Sequence, residues 1–190
     1  MTWTARRTWR NVAGLAGCLA LAWFSIVRDT RVPLLGLVDL GFHELGHLVT
    51  AVFPDVVTAA MGSVTQVAVP LGLALYFGLV RPDAVGSALC LAWAGTSARD
   101  AAVYIADAPF QHLELIGGEH DWAFVLGPEH LDALEAAGAI AAVVRVGGTL
   151  LALAGIAWCV AGIVRDLPSD APGPVPPRLP SLGFGGRGGT

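Results

Sequence analysis

Long apolar runs separated by short charged or proline-bearing connections recur along this chain, and they restrict what it can become. A helix needs about 20 residues to cross roughly 30 Å of hydrocarbon. Because lipid offers no hydrogen bonds to the backbone, only helices and closed barrels span it. The runs here are continuous rather than alternating, which selects helices. Five spans are expected, at 11–27, 32–53, 64–80, 84–106 and 138–164. Their ends are marked by Arg28-Asp29, Pro54-Asp55 and Arg81-Pro82-Asp83. Composition agrees: 55% of the 190 residues are hydrophobic and 14% charged, against about 25% charged in soluble domains. The expected fold is an all-α polytopic membrane helix bundle of about five transmembrane helices, an integral membrane protein whose first partner is the lipid bilayer.

This bundle should occupy residues 1–166. The stretch 167–190 is rich in Pro and Gly and reads as a disordered tail. Arg6-Arg7 and Leu15-Ala16-Gly17-Cys18 resemble export signals. However, only about six residues separate Arg10 from Cys18's box, shorter than a signal's apolar region, and the apolar run continues to Val27. An uncleaved first helix is expected. Arg6, Arg7 and Arg10 favour a cytoplasmic N-terminus, whereas Arg28, Arg31, Arg81 and Arg165 argue the reverse, so charge leaves orientation open. A net charge of −4 gives no basic footprint for nucleic acid. Cys18, Cys90 and Cys159 lie in apolar runs without CxxC spacing and read as small buried hydrophobes.

Within the second span stands His43-Glu44-Leu45-Gly46-His47. Histidines four apart on a helix share a face and can hold one metal ion, with Glu44 beside them as general base toward a water at that metal. Charged groups cost roughly 2.5–3.5 kcal/mol each in a membrane helix, so the cluster demands a reason, and a metal supplies one. Gly36, Gly41 and Gly46 suit the helix to close approach by a neighbour. A catalytic zinc site has three protein ligands and an open position. The third ligand is sought among His120 and Asp121, in the long connection 107–137, and Asp107 at the end of the fourth span, in that order. Asp39, one turn before His43, suits the task of orienting a histidine. Thr96, Asp100, Tyr104 and Asp107 share one face of the fourth span, which should look into the bundle either as a polar seam or toward the site. Arg99 points elsewhere, toward another span. Gln66 either bonds a neighbouring helix or donates to a substrate oxygen, the first being favoured. His112 and His130, among loop charges, should be solvated.

The segment Phe42-His43-Glu44-Leu45-Gly46-His47-Leu48-Val49-Thr50-Ala51 resembles the site-2-protease-like intramembrane zinc metallopeptidases. Gly62-Ser63-Val64-Thr65-Gln66, Pro70, Tyr104-Ile105-Ala106-Asp107-Ala108 and His120-Asp121-Trp122 are similar to a group of small bacterial membrane proteins within that class. The resemblance covers about one-tenth of the chain. It implies Zn2+ on His43 and His47, Glu44 as base, a peptide or membrane-protein substrate, and residence in the bacterial inner membrane. Typical members take their third ligand from an Asn-Pro-Asp-Gly or Leu-Asp-Gly context. Here Asp55 and Asp83 follow prolines but precede Val56 and Ala84. Two further readings stand beside the peptidase: a metal-ion transporter, and a metal-binding membrane protein without catalysis.

Overall fold

The computed structural model describes residues 3–115 and 119–166; the tail expected to be disordered lies outside the described residues. Helix α1 (Trp3–Ala22) runs into a π-helical turn, Trp23–Val27. Helix α2 (Leu35–Thr50) and helix α3 (Asp55–Leu75) form an antiparallel hairpin, and α3 also ends in a π-helical turn, Tyr76–Val80. Helix α4 (Ala84–Asp107), the short α5 (Asp121–Leu126) and the 30-residue α6 (Ala137–Asp166) complete the chain. No strand occurs among the described residues, so the fold is all-α as expected.

The number of spans departs from expectation. Among the described residues, three helical segments are long and apolar enough to cross a membrane: Arg7–Val27, Asp55–Val80 and Leu134–Asp166. The other two expected spans are α2 and α4. Helix α2 has 16 residues, roughly 24 Å at 1.5 Å each. Helix α4 carries Arg99, Asp100 and Asp107, and it is the central element, packed against α1, α3 and α6. Half of it is buried, so its polar residues meet protein rather than lipid. The third helix also starts nine residues before the expected Val64, at Asp55. There Pro54 ends the preceding turn, and a first-turn carboxylate complements the helix dipole.

The packing inverts that of a water-soluble domain. Buried positions are dominated by small residues such as Ala88, Ala92, Ala152, Cys18 and Cys159, while Leu37, Leu48, Val52, Leu79, Val143 and Leu150 face outward. Lipid tails are as apolar as leucine, so helices there associate by close backbone approach instead. Helices α4 and α6 form the most extensive contact, and glycines permit it. A Cβ on Gly95 would lie 2.5 Å from the Gly148 carbonyl oxygen, and one on Gly155 the same distance from that of Ala88. Arg99 secures this frame. Its guanidinium donates to the Ser25 carbonyl (2.8 Å), the Thr149 hydroxyl (2.8 Å) and the Asp29 carboxylate (3.0 Å), tying α4 to the end of α1 and to α6. All three cysteines are free, and Cys18 and Cys159 share one buried cluster.

Candidate metal centre

The centre is built on the α2–α3 hairpin. Gly46, inside the motif, lets the backbones meet, because a Cβ there would stand 2.3 Å from the Met61 carbonyl oxygen. Of the three glycines expected to permit approach, Gly46 does so; Gly41 faces open space and Gly36 meets only the Arg31 side chain. Thr58 donates to the Thr50 carbonyl at 2.8 Å and closes the hairpin.

This approach gives each histidine an acceptor for one ring nitrogen. His47 Nδ1 lies 2.8 Å from the Thr58 carbonyl oxygen, and His43 Nδ1 lies 3.3 Å from Gln66 Oε1. Oxygen acceptors at both Nδ1 atoms favour the tautomer with the proton there, in which each Nε2 keeps its lone pair. Gln66 is held by its amide, which donates to the Ser97 carbonyl on α4 at 3.2 Å. The expected bond to a neighbouring helix is present, and the same side chain orients a ligand. Asp39 does not perform that task. It accepts from Trp93 Nε1 (2.7 Å) and Ser97 Oγ (2.9 Å), so it joins α2 to α4. A residue one turn from His43 projects to the same face, but here that direction is occupied by α4.

Both Nε2 atoms converge on Asp121, at the start of α5. Its Oδ2 lies 2.9 Å from His43 Nε2 and 3.3 Å from His47 Nε2. The ligating atoms of His43, His47 and Asp121 all fall within 4.8 Å of one another. Two imidazole nitrogens and a carboxylate oxygen directed at one point form a donor set that could hold a cation. The space for it is kept clear by Gly62 of α3, whose Cβ would lie 2.6 Å from His43 Nε2 and 2.7 Å from His47 Nε2. The residues therefore fit a metal ion, held by two imidazoles and one carboxylate.

The chain was compared with protein-family models, curated proteins and solved structures, and it matches none.

Of the three residues considered as third ligand, the structure brings Asp121 to the histidines and leaves His120 and Asp107 outside the group. His120 is turned away because its Nδ1 accepts the Ala123 N–H (3.2 Å) and caps α5. Its Nε2 is buried without a hydrogen bond, 3.4 Å from Asp107 Oδ2. Burial lowers its pKa, the nearby Asp107 carboxylate opposing. Asp107 instead accepts the His112 and Leu113 backbone N–H groups at 3.1 and 3.0 Å, ending α4. The polar stripe of α4 does face inward: Tyr104 bonds Asp121, and Asp100 pairs with Arg31 at 2.9 Å. His112 and His130 are exposed and stand apart from the group, as expected.

A cavity of about 500 Å³ opens beside the centre, lined by Glu44, His43, His47, Gln66, Tyr104 and Asp121 among others. Glu44 is exposed into it and carries no hydrogen bond among the described residues. A carboxylate free of partners beside a metal-ready triad is available to exchange protons with whatever occupies the cavity. Two supports escaped the sequence reading. The Thr58 carbonyl is a backbone group and leaves no side-chain signal. Gly62 stands four residues before Gln66, one turn along the same face of α3, and that spacing was the available clue.

Proposed function

We propose that the protein is a zinc-dependent peptidase of the site-2-protease-like class, embedded in the bacterial inner membrane and cutting peptide or membrane-protein substrates. The observation that carries this reading is Glu44 facing the cavity beside the convergent His43, His47 and Asp121. Two imidazoles, one carboxylate and an open side match the donor set of hydrolytic zinc rather than of closed structural sites. Zinc bound there would supply a Lewis acid and would lower the pKa of water to about 7. His43, His47 and Asp121 hold the ion, while Gln66 and the Thr58 carbonyl fix the imidazole orientation. The Glu44 carboxylate takes a proton from the attacking water and returns it to the leaving amine. Tyr104 and Ala101 of α4 line the cavity.

The test joins composition to activity. Wild-type, Glu44→Gln and His43→Ala/His47→Ala proteins are purified in detergent and analysed for zinc. Membranes expressing each are then searched for new protein N-termini. One zinc in wild type and Glu44→Gln, with new termini in wild type alone, supports the peptidase. Equal zinc with identical termini assigns a binding role without catalysis, whereas zinc flux across liposomes assigns transport. No zinc in any of them removes all three readings.

A further inference from the structure

The third ligand arrives from outside the hairpin, on a helix of only six residues, and something must hold it. The contacts around Asp121 identify what does. The Tyr104 hydroxyl accepts the Asp121 backbone N–H at 3.0 Å and lies 3.3 Å from its Oδ2, where it donates. One side chain of α4 thus grips both the main chain and the carboxylate of the ligand. The Tyr104 ring stacks on His120, with centroids 4.2 Å apart and planes 23° off parallel. His120, 3% exposed, caps α5 by accepting the Ala123 N–H. In the tautomer that accepts there the proton is on Nε2, which is buried 3.4 Å from Asp107 Oδ2 without a hydrogen bond. Trp122, the next residue, donates from Nε1 to Ser63 Oγ of α3 at 3.0 Å. Three consecutive residues are therefore each committed: His120 to the cap, Asp121 to the histidines, Trp122 to α3.

We propose that Tyr104 and His120 are the positioning pair of the metal centre: together they dock the start of α5 onto α4 and present the Asp121 carboxylate to His43 and His47. Neither is a ligand. This inference rests on the metal-binding part of the proposed function and is independent of whether the metal is used for hydrolysis. Groups that orient a ligand typically contribute ten- to hundredfold to metal affinity. The two residues act by different bonds, so they respond to different replacements. Tyr104→Phe keeps the stacked ring and removes only the hydroxyl grip. His120→Leu removes the cap. His120→Asn restores a cap, because asparagine is among the strongest N-cap residues, but it cannot stack as the imidazole does.

The experiment is zinc affinity of the full-length protein in detergent by chelator competition, with the visible spectrum of the cobalt-substituted protein as the report on coordination. Thermal unfolding of each metal-free variant separates folding loss from site loss. Expected are zinc affinity ten- to hundredfold weaker with an altered cobalt spectrum for Tyr104→Phe and His120→Leu, and recovery to within about threefold of wild type for His120→Asn. The metal-free Tyr104→Phe protein should unfold near the wild-type temperature. Wild-type affinity in Tyr104→Phe and His120→Leu, with affinity lost in Asp121→Ala, overturns the positioning pair while leaving the ligand set standing. His120→Asn as weak as His120→Leu overturns the capping role. Wild-type affinity in Asp121→Ala overturns the third ligand itself, and the proposal with it.

Discussion

Replacing Gly62 with alanine tests the metal centre at the point where the space is smallest. The new Cβ would lie 2.6 Å from His43 Nε2 and 2.7 Å from His47 Nε2, whereas ordinary contact begins at 3.4 Å. Each ring must therefore retreat by about 0.7–0.8 Å. Neither can do so freely, since His47 is anchored to the Thr58 carbonyl and His43 to Gln66. Zinc–nitrogen bonds are about 2.0–2.1 Å long and tolerate about ±0.2 Å, so the displacement exceeds the tolerance severalfold. A loss of at least ten- to hundredfold in zinc affinity follows, about 1.4–2.7 kcal/mol. The metal-free fold changes less, because alanine gains about 1 kcal/mol over glycine in a helix while overpacking costs about 1–3 kcal/mol. Chelator competition reads the affinity and thermal unfolding in detergent reads the fold. Gly41→Ala is the control, since its Cβ meets nothing within 4 Å. Wild-type zinc affinity in Gly62→Ala would refute the placement of the ion between the two imidazoles.

Glu44→Gln should leave zinc stoichiometry at the wild-type level and lower any peptide turnover by about 10²–10⁴, the usual share of a general base, measured as new N-termini. Asp39→Ala strands the Trp93 and Ser97 donors and should lower stability by about 1–3 kcal/mol without changing zinc content. Gly95→Val inserts bulk against the Gly148 backbone and should destabilise the α4–α6 seam by about 1–3 kcal/mol or more, read as a lower unfolding temperature. The Asp29 carboxyl, in the connection after α1, is held below its usual value chiefly by its hydrogen bond to Arg145, against a desolvation effect. Its contribution is present above the ordinary carboxylate value near 3.8 and is lost as pH falls through the lowered one. Unfolding temperatures of wild type and Asp29→Asn should therefore differ at neutral pH, approach each other as pH falls below about 4, and converge only below the lowered pKa.

The sequence made the all-helical class and the histidine pair legible because both depend on local periodicity. Long apolar runs predict helices by themselves, and a four-residue spacing places two rings on one face wherever the helix sits. The rest depends on what each face meets. Helix α4 resembled a membrane span interrupted by charge, yet Arg99 is buried against Ser25 and Thr149, Asp100 pairs with Arg31, and Asp107 closes the helix end onto the following loop. Asp39 had the correct register to support His43 and was taken up by Trp93 and Ser97, whose position follows from tertiary packing. Among His120, Asp121 and Asp107, adjacency and composition put His120 first, whereas the structure groups Asp121 with the histidines. The decision came from the path of the chain into α5, where His120 is consumed as a cap and its neighbour faces the histidines.

The chain distance between the parts of the centre has a consequence for assembly. His43, His47 and both groups that receive their Nδ1 protons lie in a single hairpin, whereas Asp121 is 78 positions beyond His43. A chain growing from its N-terminus therefore completes the two-histidine half long before the carboxylate exists. Three-point capture of an ion would wait until α4 has brought Tyr104 into the bundle and α5 has packed on α3. If the proposed zinc is held there, binding at full strength would mark finished topology, and partly synthesised or misassembled chains would be left with a bidentate, exchangeable site.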